Sequence, residues 1–155
     1  MTRSILFVCL GNICRSPTAE GVLRALSTRA DLDLRIDSAG TAGWHIGNPP
    51  HDPAIGAARA RAYDLSSLRA RQIVAGDFNR FDLIIGMDAQ NIADIEALRP
   101  TGNQTPVQLF LDYADVDDQA VPDPYYTRDY EGALDLIEAA SRGLITAIGG
   151  SGQPQ

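Results

Sequence analysis

The sequence predicts an α/β fold: one domain built on a doubly wound sheet of about four parallel strands flanked by helices. Two observations support this prediction. Short, strongly apolar runs, which are typical of buried parallel strands, alternate with longer segments whose apolar residues recur at helical spacing. The chain has 155 residues, a length that suits one domain, and it contains no internal repeat or interdomain linker.

The first predicted strand, residues 5–8, is followed by a tight loop and then by a helical pattern of apolar residues from Ala19 to Leu26. Gly11 and Asn12 tolerate the positive φ that a loop folding back on itself needs. Ser16 is the expected N-cap of the helix, with Pro17 at its first position.

A loop of this kind turns successive backbone N–H groups inward, and the helix behind it adds the positive end of its dipole. Arg15 carries a planar, permanently charged fork that can hold two phosphate oxygens at once. The sequence therefore predicts a phosphate-binding loop at the end of the first strand. Its members are Leu10, Gly11, Asn12, Ile13, Cys14, Arg15 and Ser16.

Cys9 stands at the mouth of this loop and is the candidate nucleophile. A helix N-terminus and a nearby cation favour the thiolate form of a cysteine, and the Ser16 hydroxyl adds one hydrogen bond. Cys9 is then a nucleophile that is ionised at neutral pH. The alternative is a buried cysteine that only packs.

Residues 9–17, Cys-Leu-Gly-Asn-Ile-Cys-Arg-Ser-Pro, resemble the phosphate loop of the low-molecular-weight protein tyrosine phosphatases. Cys-x5-Arg alone is a weak signal, whereas the full nine-residue string is specific. The resemblance runs from Ile5 to about Leu144 and includes a second motif, Asp-Pro-Tyr-Tyr at residues 123–126. Weaker similarities lie at residues 38–41, 69–72 and 87–88.

The remaining apolar patterns continue the alternation of strands and helices. The predicted elements are a strand at 34–37, a helix at 53–63, a strand at 81–87, a helix from residue 88 that stops before Pro100, a strand at 107–111 and a helix at 130–148. The catalytic domain is therefore expected to span residues 1–148, with a disordered tail at 149–155. In such sheets ligands bind beyond the carboxyl ends of the strands, where the Cys9 loop lies.

Composition limits the classes of molecule that the chain is expected to bind. A net charge of −7 argues against nucleic acid, which normally requires a basic face. No apolar run approaches the length of a membrane span and no signal peptide is evident, so we expect a cytoplasmic protein without a membrane partner. Two cysteines and two histidines without ligand spacing give no reason to expect a metal.

The general acid cannot be chosen from composition, because Asp115, Asp117, Asp118 and Asp123 all lie in one acidic stretch. The resemblance implies Asp123, since Asp-Pro-Tyr-Tyr is the general-acid loop of the family. Such a group protonates the phenolate oxygen as the P–O bond breaks, and a positioned acid typically contributes about 10²–10⁴-fold.

Three aromatic residues have two interpretations each. Trp44, by itself, is more often a core anchor, and Tyr125 and Tyr126 suit ordinary turn packing. The resemblance instead implies that Trp44, Tyr125 and Tyr126 form the walls of a slot for the substrate ring.

The implied function is hydrolysis of phosphotyrosine through a cysteinyl-phosphate intermediate, with Cys9, Arg15 and Asp123 as catalytic residues and without metal or cofactor. The implied partner is a tyrosine-phosphorylated protein, such as a tyrosine kinase, and the product is inorganic phosphate. The resemblance also implies a reversible disulfide between Cys9 and Cys14 under oxidation, although Cys14 alone fits a small apolar filler equally well.

Three alternatives remain from the sequence. Arsenate reductases share the loop but use further downstream cysteines, and this chain has none after Cys14. Protein-arginine phosphatases of the same fold carry Thr where this chain has apolar Ile13, which favours an aromatic ring. A catalytically silent phosphate-binding module would need only the first loop, whereas Asp123 is also present.

The chain departs from its relatives at two places. Many of them carry His-Gly where this chain has Arg61-Ala62, and some carry a His where it has Leu68. Because a His from that region can brace the Asn of the phosphate loop, the sequence leaves open what holds Asn12.

Overall fold

The computed structural model describes residues 2–151 and contains one sheet of four parallel strands in the order β2-β1-β3-β4. The strands are β1 (Ser4–Cys9), β2 (Arg35–Gly40), β3 (Leu83–Gly86) and β4 (Val107–Leu109). The helices are α1 (Arg15–Arg29), α2 (Asp52–Ala60), α3 (Asp77–Arg80), α4 (Ala89–Glu96), α5 (Pro124–Thr127) and α6 (Tyr130–Ser151). The predicted α/β fold with about four parallel strands is confirmed.

Strand β1 is buried along its whole length, and its side chains alternate between two cores. Ile5, Phe7 and Cys9 join the apolar cluster that α1 and α6 cover. Leu6 and Val8 point the other way, into the cluster that residues of α3 and α4 cover. Helices on both faces explain why this strand reads as a continuous apolar run.

The strand order places the switch point of the sheet at the carboxyl end of β1. The chain leaves β1 toward β2 on one side, and β3 pairs with β1 on the other side. Cys9 is the last residue of β1 and pairs with Gly40, the last residue of β2. The predicted loop therefore begins where open α/β sheets bind their ligands.

Gly40 is required by the close approach of the loop backbone. A Cβ atom at this position would lie 2.8 Å from the carbonyl oxygen of Leu10 and 3.1 Å from that of Ala42. Both neighbours are backbone, so neither can turn away as a flexible side chain would. The end of β2 thus fits against the loop only without a side chain.

Helix α1 begins at Arg15, two residues earlier than expected, and the prediction of Ser16 as N-cap is wrong. The N-cap position is held by Cys14, whose side chain makes no capping hydrogen bond. Ser16 lies in the first turn of the helix, and its hydroxyl bonds to Cys9 and Asn12 instead.

Other boundaries differ by a few residues. Helix α2 stops at Ala60 because the chain turns into a left-handed residue two positions later, and β4 ends at Leu109 where a 3₁₀ turn begins. Helix α6 continues to Ser151, so the tail predicted for 149–155 is wrong for its first three residues. Residues 152–155 lie outside the described part of the chain. Between residues 2 and 151, no helix combines the length and apolar character that crossing a membrane requires.

The left-handed residue after the C-terminus of α2, Ala62, is a site where a substitution should change stability. Ala62 has φ 69, and the bonds from Tyr63 N to Ala58 O (3.0 Å) and from Ala62 N to Arg59 O (2.9 Å) form a Schellman motif, which normally has Gly at this position. The left-handed conformation costs Ala about 1–2 kcal/mol in the folded state. Replacing Ala by Gly removes this cost, but part of the gain is lost because Gly increases the conformational entropy of the unfolded chain. We expect Ala62→Gly to raise the free energy of unfolding by up to about 1 kcal/mol in urea titrations.

The matched control is Ala60→Gly, in the last turn of the same helix, where the exposed residue has helical geometry. That substitution is expected to lower the free energy of unfolding by about 1 kcal/mol. Equal losses in both variants would contradict the assignment of strain to Ala62.

Candidate active site

Residues 9–16 fold over the end of β1, and Asn12 is the left-handed residue of this loop, with φ 59. Gly11 contributes space rather than positive φ, since a Cβ there would lie 3.2 Å from Cδ2 of His45. Both residues were expected at the turn because they tolerate positive φ. In the structure Asn12 adopts that conformation, whereas Gly11 is needed for the space beside His45.

The Cys9 sulfur is almost fully buried and has two hydrogen-bond partners in the loop. The backbone N–H of Asn12 donates to Cys9 Sγ at 3.3 Å, and Ser16 Oγ lies 3.0 Å from the same sulfur. The predicted contact between Cys9 and the Ser16 hydroxyl is present.

The question of what holds Asn12 has a definite answer. Its Nδ2 donates to Ser16 Oγ at 2.8 Å and to Ser38 Oγ at 3.0 Å. Its Oδ1 accepts from the backbone N–H of Arg71 at 2.9 Å. Asn12 is 2% exposed; its bonds to Ser16 and Ser38 are buried, and its bond to Arg71 is partly buried. Ser38 and the Arg71 backbone brace the loop without a histidine.

Behind Ser38 lies a buried carboxylate. Ser38 Oγ donates to Glu20 Oε1 at 2.7 Å, and Arg24 Nη2 lies 2.7 Å from Glu20 Oε2. Glu20 is 4% exposed. Burial raises the pKa of Glu20, while the Ser38 hydrogen bond and the Arg24 charge act in the opposite direction.

Arg15 is buried, and one edge of its guanidinium is held by the protein. Nη1 donates to Asp88 Oδ2 at 2.8 Å and to the carbonyl oxygen of Val121 at 3.1 Å. The other oxygen of Asp88 caps α4 by accepting from Asn91 N at 2.7 Å. Asp88 therefore connects the N-terminus of α4 to the Arg15 guanidinium and fixes the position of that guanidinium.

The opposite edge of the guanidinium keeps its donors. Within residues 2–151, the buried Nε of Arg15 has no hydrogen-bond acceptor. Nη2 lies 3.6 Å from Asp123 Oδ2, which is an ion pair but not a hydrogen bond. A buried donor without an acceptor is costly, so this edge is suited to an anion that accepts from both nitrogens.

Asp123 is fixed at the rim of the site. It is the N-cap of α5, where its Oδ1 accepts from Tyr125 N at 3.0 Å, and Pro124 follows at the first helical position. The segment before it is tied to the sheet, because Val121 N donates to the carbonyl oxygen of Met87 at 3.0 Å. These contacts hold the carboxylate beside Arg15.

Loop and rim enclose a cavity of about 130 Å³. The residues that line it are Cys9, Leu10, Gly11, Ile13, Cys14, Trp44, His45, Asp123, Tyr125 and Tyr126. The structure thus brings the predicted nucleophile, the predicted acid and all three predicted aromatic residues to one place. Of the other predicted loop members, Asn12, Arg15 and Ser16 lie buried behind the cavity wall.

The aromatic residues stand at the entrance rather than in the core. Trp44 is 70% exposed and Tyr126 is 71% exposed, so the core interpretation of Trp44 is wrong. The rings of Tyr125 and Tyr126 meet edge to face at 5.3 Å, and His51 packs on Tyr125 at 5.4 Å. Large exposed rings around a cleft indicate a surface that binds a partner.

Cys14 lines the same cavity, and both cysteines are free and buried. Burial and the negative charges of Asp123 and Cys9 raise the pKa of Cys14 to about 12. At neutral pH Cys14 is therefore a thiol, and it does not compete with Cys9 as a nucleophile.

Sequence reasoning did not assign site roles to five residues: Glu20, Ser38, His45, Arg71 and Asp88. A signal existed for Glu20, because Ser16, Glu20 and Arg24 are spaced four apart and share one helix face. Arg71 lies in the weaker family similarity at residues 69–72, but nothing in that pattern indicates that its backbone N–H reaches Asn12.

Comparison with known proteins identifies the family. The family model for low molecular weight phosphotyrosine protein phosphatase matches residues 4–153. The low molecular weight protein-tyrosine-phosphatase YfkJ of Bacillus subtilis (strain 168) is 43% identical over 148 residues, covering 94% of this chain and 95% of that protein.

Solved structures give the same result. The crystal structure of YfkJ matches with a TM-score of 0.93 at 41% identity, covering 99% of this chain and 98% of that one. A protein tyrosine phosphatase from Entamoeba histolytica matches at 0.91 and 31% identity, covering 98% and 100%. A drosophila arginine phosphatase matches at 0.89 and 29% identity, covering 96% and 98%. The expected family is confirmed: the chain belongs to the low molecular weight phosphotyrosine protein phosphatases.

Proposed function

We propose that Cys9 is the nucleophile of a two-step phosphotyrosine hydrolysis. In the first step Cys9 Sγ bonds to phosphorus as the bond to the tyrosine oxygen breaks, and Asp123 gives its proton to that oxygen. In the second step water replaces sulfur on phosphorus, Asp123 takes the proton, and inorganic phosphate leaves. The observation that carries this proposal is that Cys9 and Asp123 line one cavity, with the Arg15 guanidinium buried behind its wall, 3.6 Å from Asp123 Oδ2.

Arg15 and the backbone of the loop would stabilise the transition state. The free edge of the guanidinium offers Nε and Nη2 to two equatorial oxygens, while Asp88 and Val121 hold the opposite edge in place. A donor that is already oriented needs no reorganisation when charge develops on the phosphoryl group. The backbone of residues 10–16 would bind the same group from below.

Substitutions at Cys9 and Asp123 separate the roles of nucleophile and acid. Cys9→Ser is expected to abolish turnover of 4-nitrophenyl phosphate, because a hydroxyl is not ionised at neutral pH. Asp123→Asn keeps the helix cap but has no proton to give, so kcat should fall about 10²–10⁴-fold. The loss should be larger for phenyl phosphate, whose poorer leaving group depends more on the acid.

The matched control is Asp118→Asn, an exposed carboxylate of the same acidic loop, which should leave kcat unchanged. Equal losses for both leaving groups in Asp123→Asn would contradict a general-acid role. No turnover by the folded, reduced wild type would favour a phosphate-binding module instead.

The substrate class follows from the entrance. Trp44, Tyr125 and Tyr126 offer ring faces and edges beside apolar Ile13, which favours an aryl group over a guanidinium. We therefore propose a tyrosine-phosphorylated protein as the partner, with a tyrosine kinase as one such protein. The free thiols suit a reducing compartment, which supports action in the cytoplasm.

The contribution of Ile13 to substrate specificity can be tested by substitution. The family resemblance associates Thr at this position with phosphoarginine, so Ile13→Thr should lower kcat/KM for a phosphotyrosine peptide relative to a phosphoarginine peptide by about tenfold. Ile46→Thr, on a side chain that is 61% exposed and does not line the cavity, is the control. An unchanged ratio in Ile13→Thr would remove this residue from the specificity argument.

We also propose that Cys14 protects Cys9 from irreversible oxidation. Peroxide converts the Cys9 thiolate to a sulfenic acid and hydroxide, and the Cys14 sulfur then displaces water to close a disulfide. Both cysteines line one cavity, which supports this proposal. Because the pKa of Cys14 is about 12, closure should accelerate from pH 7 to pH 9 as its thiolate fraction rises.

The corresponding test is recovery from peroxide. Wild type inactivated by hydrogen peroxide should regain activity with dithiothreitol, whereas Cys14→Ser should regain much less because its sulfenic acid oxidises further. Equal recovery of the two proteins would show that Cys14 is only a packing residue.

A further inference from the structure

A chain of buried polar groups runs from helix α1 to the nucleophile. Its members, in order, are the Glu20 carboxylate, the Ser38 hydroxyl, the Asn12 amide, the Ser16 hydroxyl and the Cys9 sulfur. Successive contacts measure 2.7, 3.0, 2.8 and 3.0 Å. Each of the five residues is at most 4% exposed, so water cannot substitute for a missing partner.

The direction of the first bonds is set by Glu20. An ionised carboxylate can only accept hydrogen bonds, so the Ser38 hydroxyl must donate its single hydrogen to Glu20 Oε1. Ser38 then has only lone pairs to offer, and it accepts from Asn12 Nδ2.

The orientation of the Asn12 amide is also fixed at its oxygen, Oδ1. The backbone N–H of Arg71 can only donate, so the Asn12 atom that faces it must be Oδ1. With its amide fixed on both sides, Asn12 donates its second hydrogen to Ser16 Oγ. The Ser16 hydrogen is then free for Cys9 Sγ at 3.0 Å, and its alternative acceptor, the Ala39 carbonyl, is farther at 3.4 Å.

We infer that Glu20 is a positioning residue for the reaction: its carboxylate, with the Arg71 N–H, directs the hydrogen bonds so that Ser16 donates to the Cys9 sulfur. This inference rests on the proposed role of Cys9 as nucleophile. Burial raises the pKa of Glu20, whereas the Ser38 hydrogen bond and the Arg24 guanidinium, 2.7 Å away on the solvent side, favour the ionised carboxylate.

The test is Glu20→Gln. Beside the Arg24 guanidinium, the new amide turns its oxygen toward Arg24 and its NH₂ toward Ser38, where the existing direction requires an acceptor. Ser16 then no longer donates reliably to sulfur. We expect the pH midpoint for alkylation of Cys9 by iodoacetamide, located by mass spectrometry, to rise by about one unit.

The sign of this shift separates the relay from simple electrostatics. Removing a negative charge near a thiolate favours the thiolate, so an effect through space would lower the midpoint. A lowered or unchanged midpoint in Glu20→Gln would overturn the inference. Asp33→Asn, which removes an exposed carboxylate that lies outside this chain of polar groups, is the control and should alkylate as the wild type does.

The route is tested by a double-mutant cycle with Ser38→Ala. If Glu20 acts through Ser38, Glu20→Gln should add no further shift in the Ser38→Ala background, whereas additive shifts would contradict the relay. Circular dichroism checks folding. Should Glu20→Gln not fold, Ser38→Ala alone carries the test, with a raised midpoint expected and an unchanged midpoint overturning the relay.

Alkylation needs no turnover, so the two proposals fail separately. A wild type whose Cys9 alkylates at neutral pH but that hydrolyses no aryl phosphate would contradict the proposed function and leave the relay standing. A wild type that turns over normally, with Glu20→Gln alkylating like the wild type, would contradict only the relay.

Discussion

The Asn12 side chain is the interaction on which the site depends. It holds a left-handed residue inside a loop that must turn its N–H groups inward, and it does so with three hydrogen bonds, to α1, to β2 and to the segment after α2. A left-handed backbone is unfavourable for most residues, and Asn tolerates it best after Gly. Asn12 adds what Gly lacks: a side chain that links the loop to its surroundings.

Charged groups are buried around this loop at a cost to stability. Arg15, Glu20 and Asp77 are all at most 4% exposed, and removing one charge from water costs several kcal/mol unless partners compensate. Each has such partners: Asp88 for Arg15, Arg24 and Ser38 for Glu20, and Arg71 for Asp77. The arrangement is better explained by the orientation of reacting groups than by the stability of the fold.

The sequence was sufficient for the fold class and for the chemistry that lies in contiguous residues. Strands β1 and β3 were found because burial on both faces makes them continuously apolar, and the loop was found because Cys9 to Ser16 is local. Asp123 required the family resemblance, since its acidic neighbours share its composition. Glu20 and Arg71 escaped notice because their roles depend on contacts 18 and 59 positions apart in the chain.

The contact between Gly40 and the loop has a consequence for protein engineering. The loop rests on the bare backbone at the end of the neighbouring strand, and its height above the sheet is therefore set by that strand as well as by its own nine residues. Transplanting the nine residues onto another parallel sheet would reproduce the site only if the acceptor scaffold presents a glycine in the same register. The portable unit is two strand ends, not one loop.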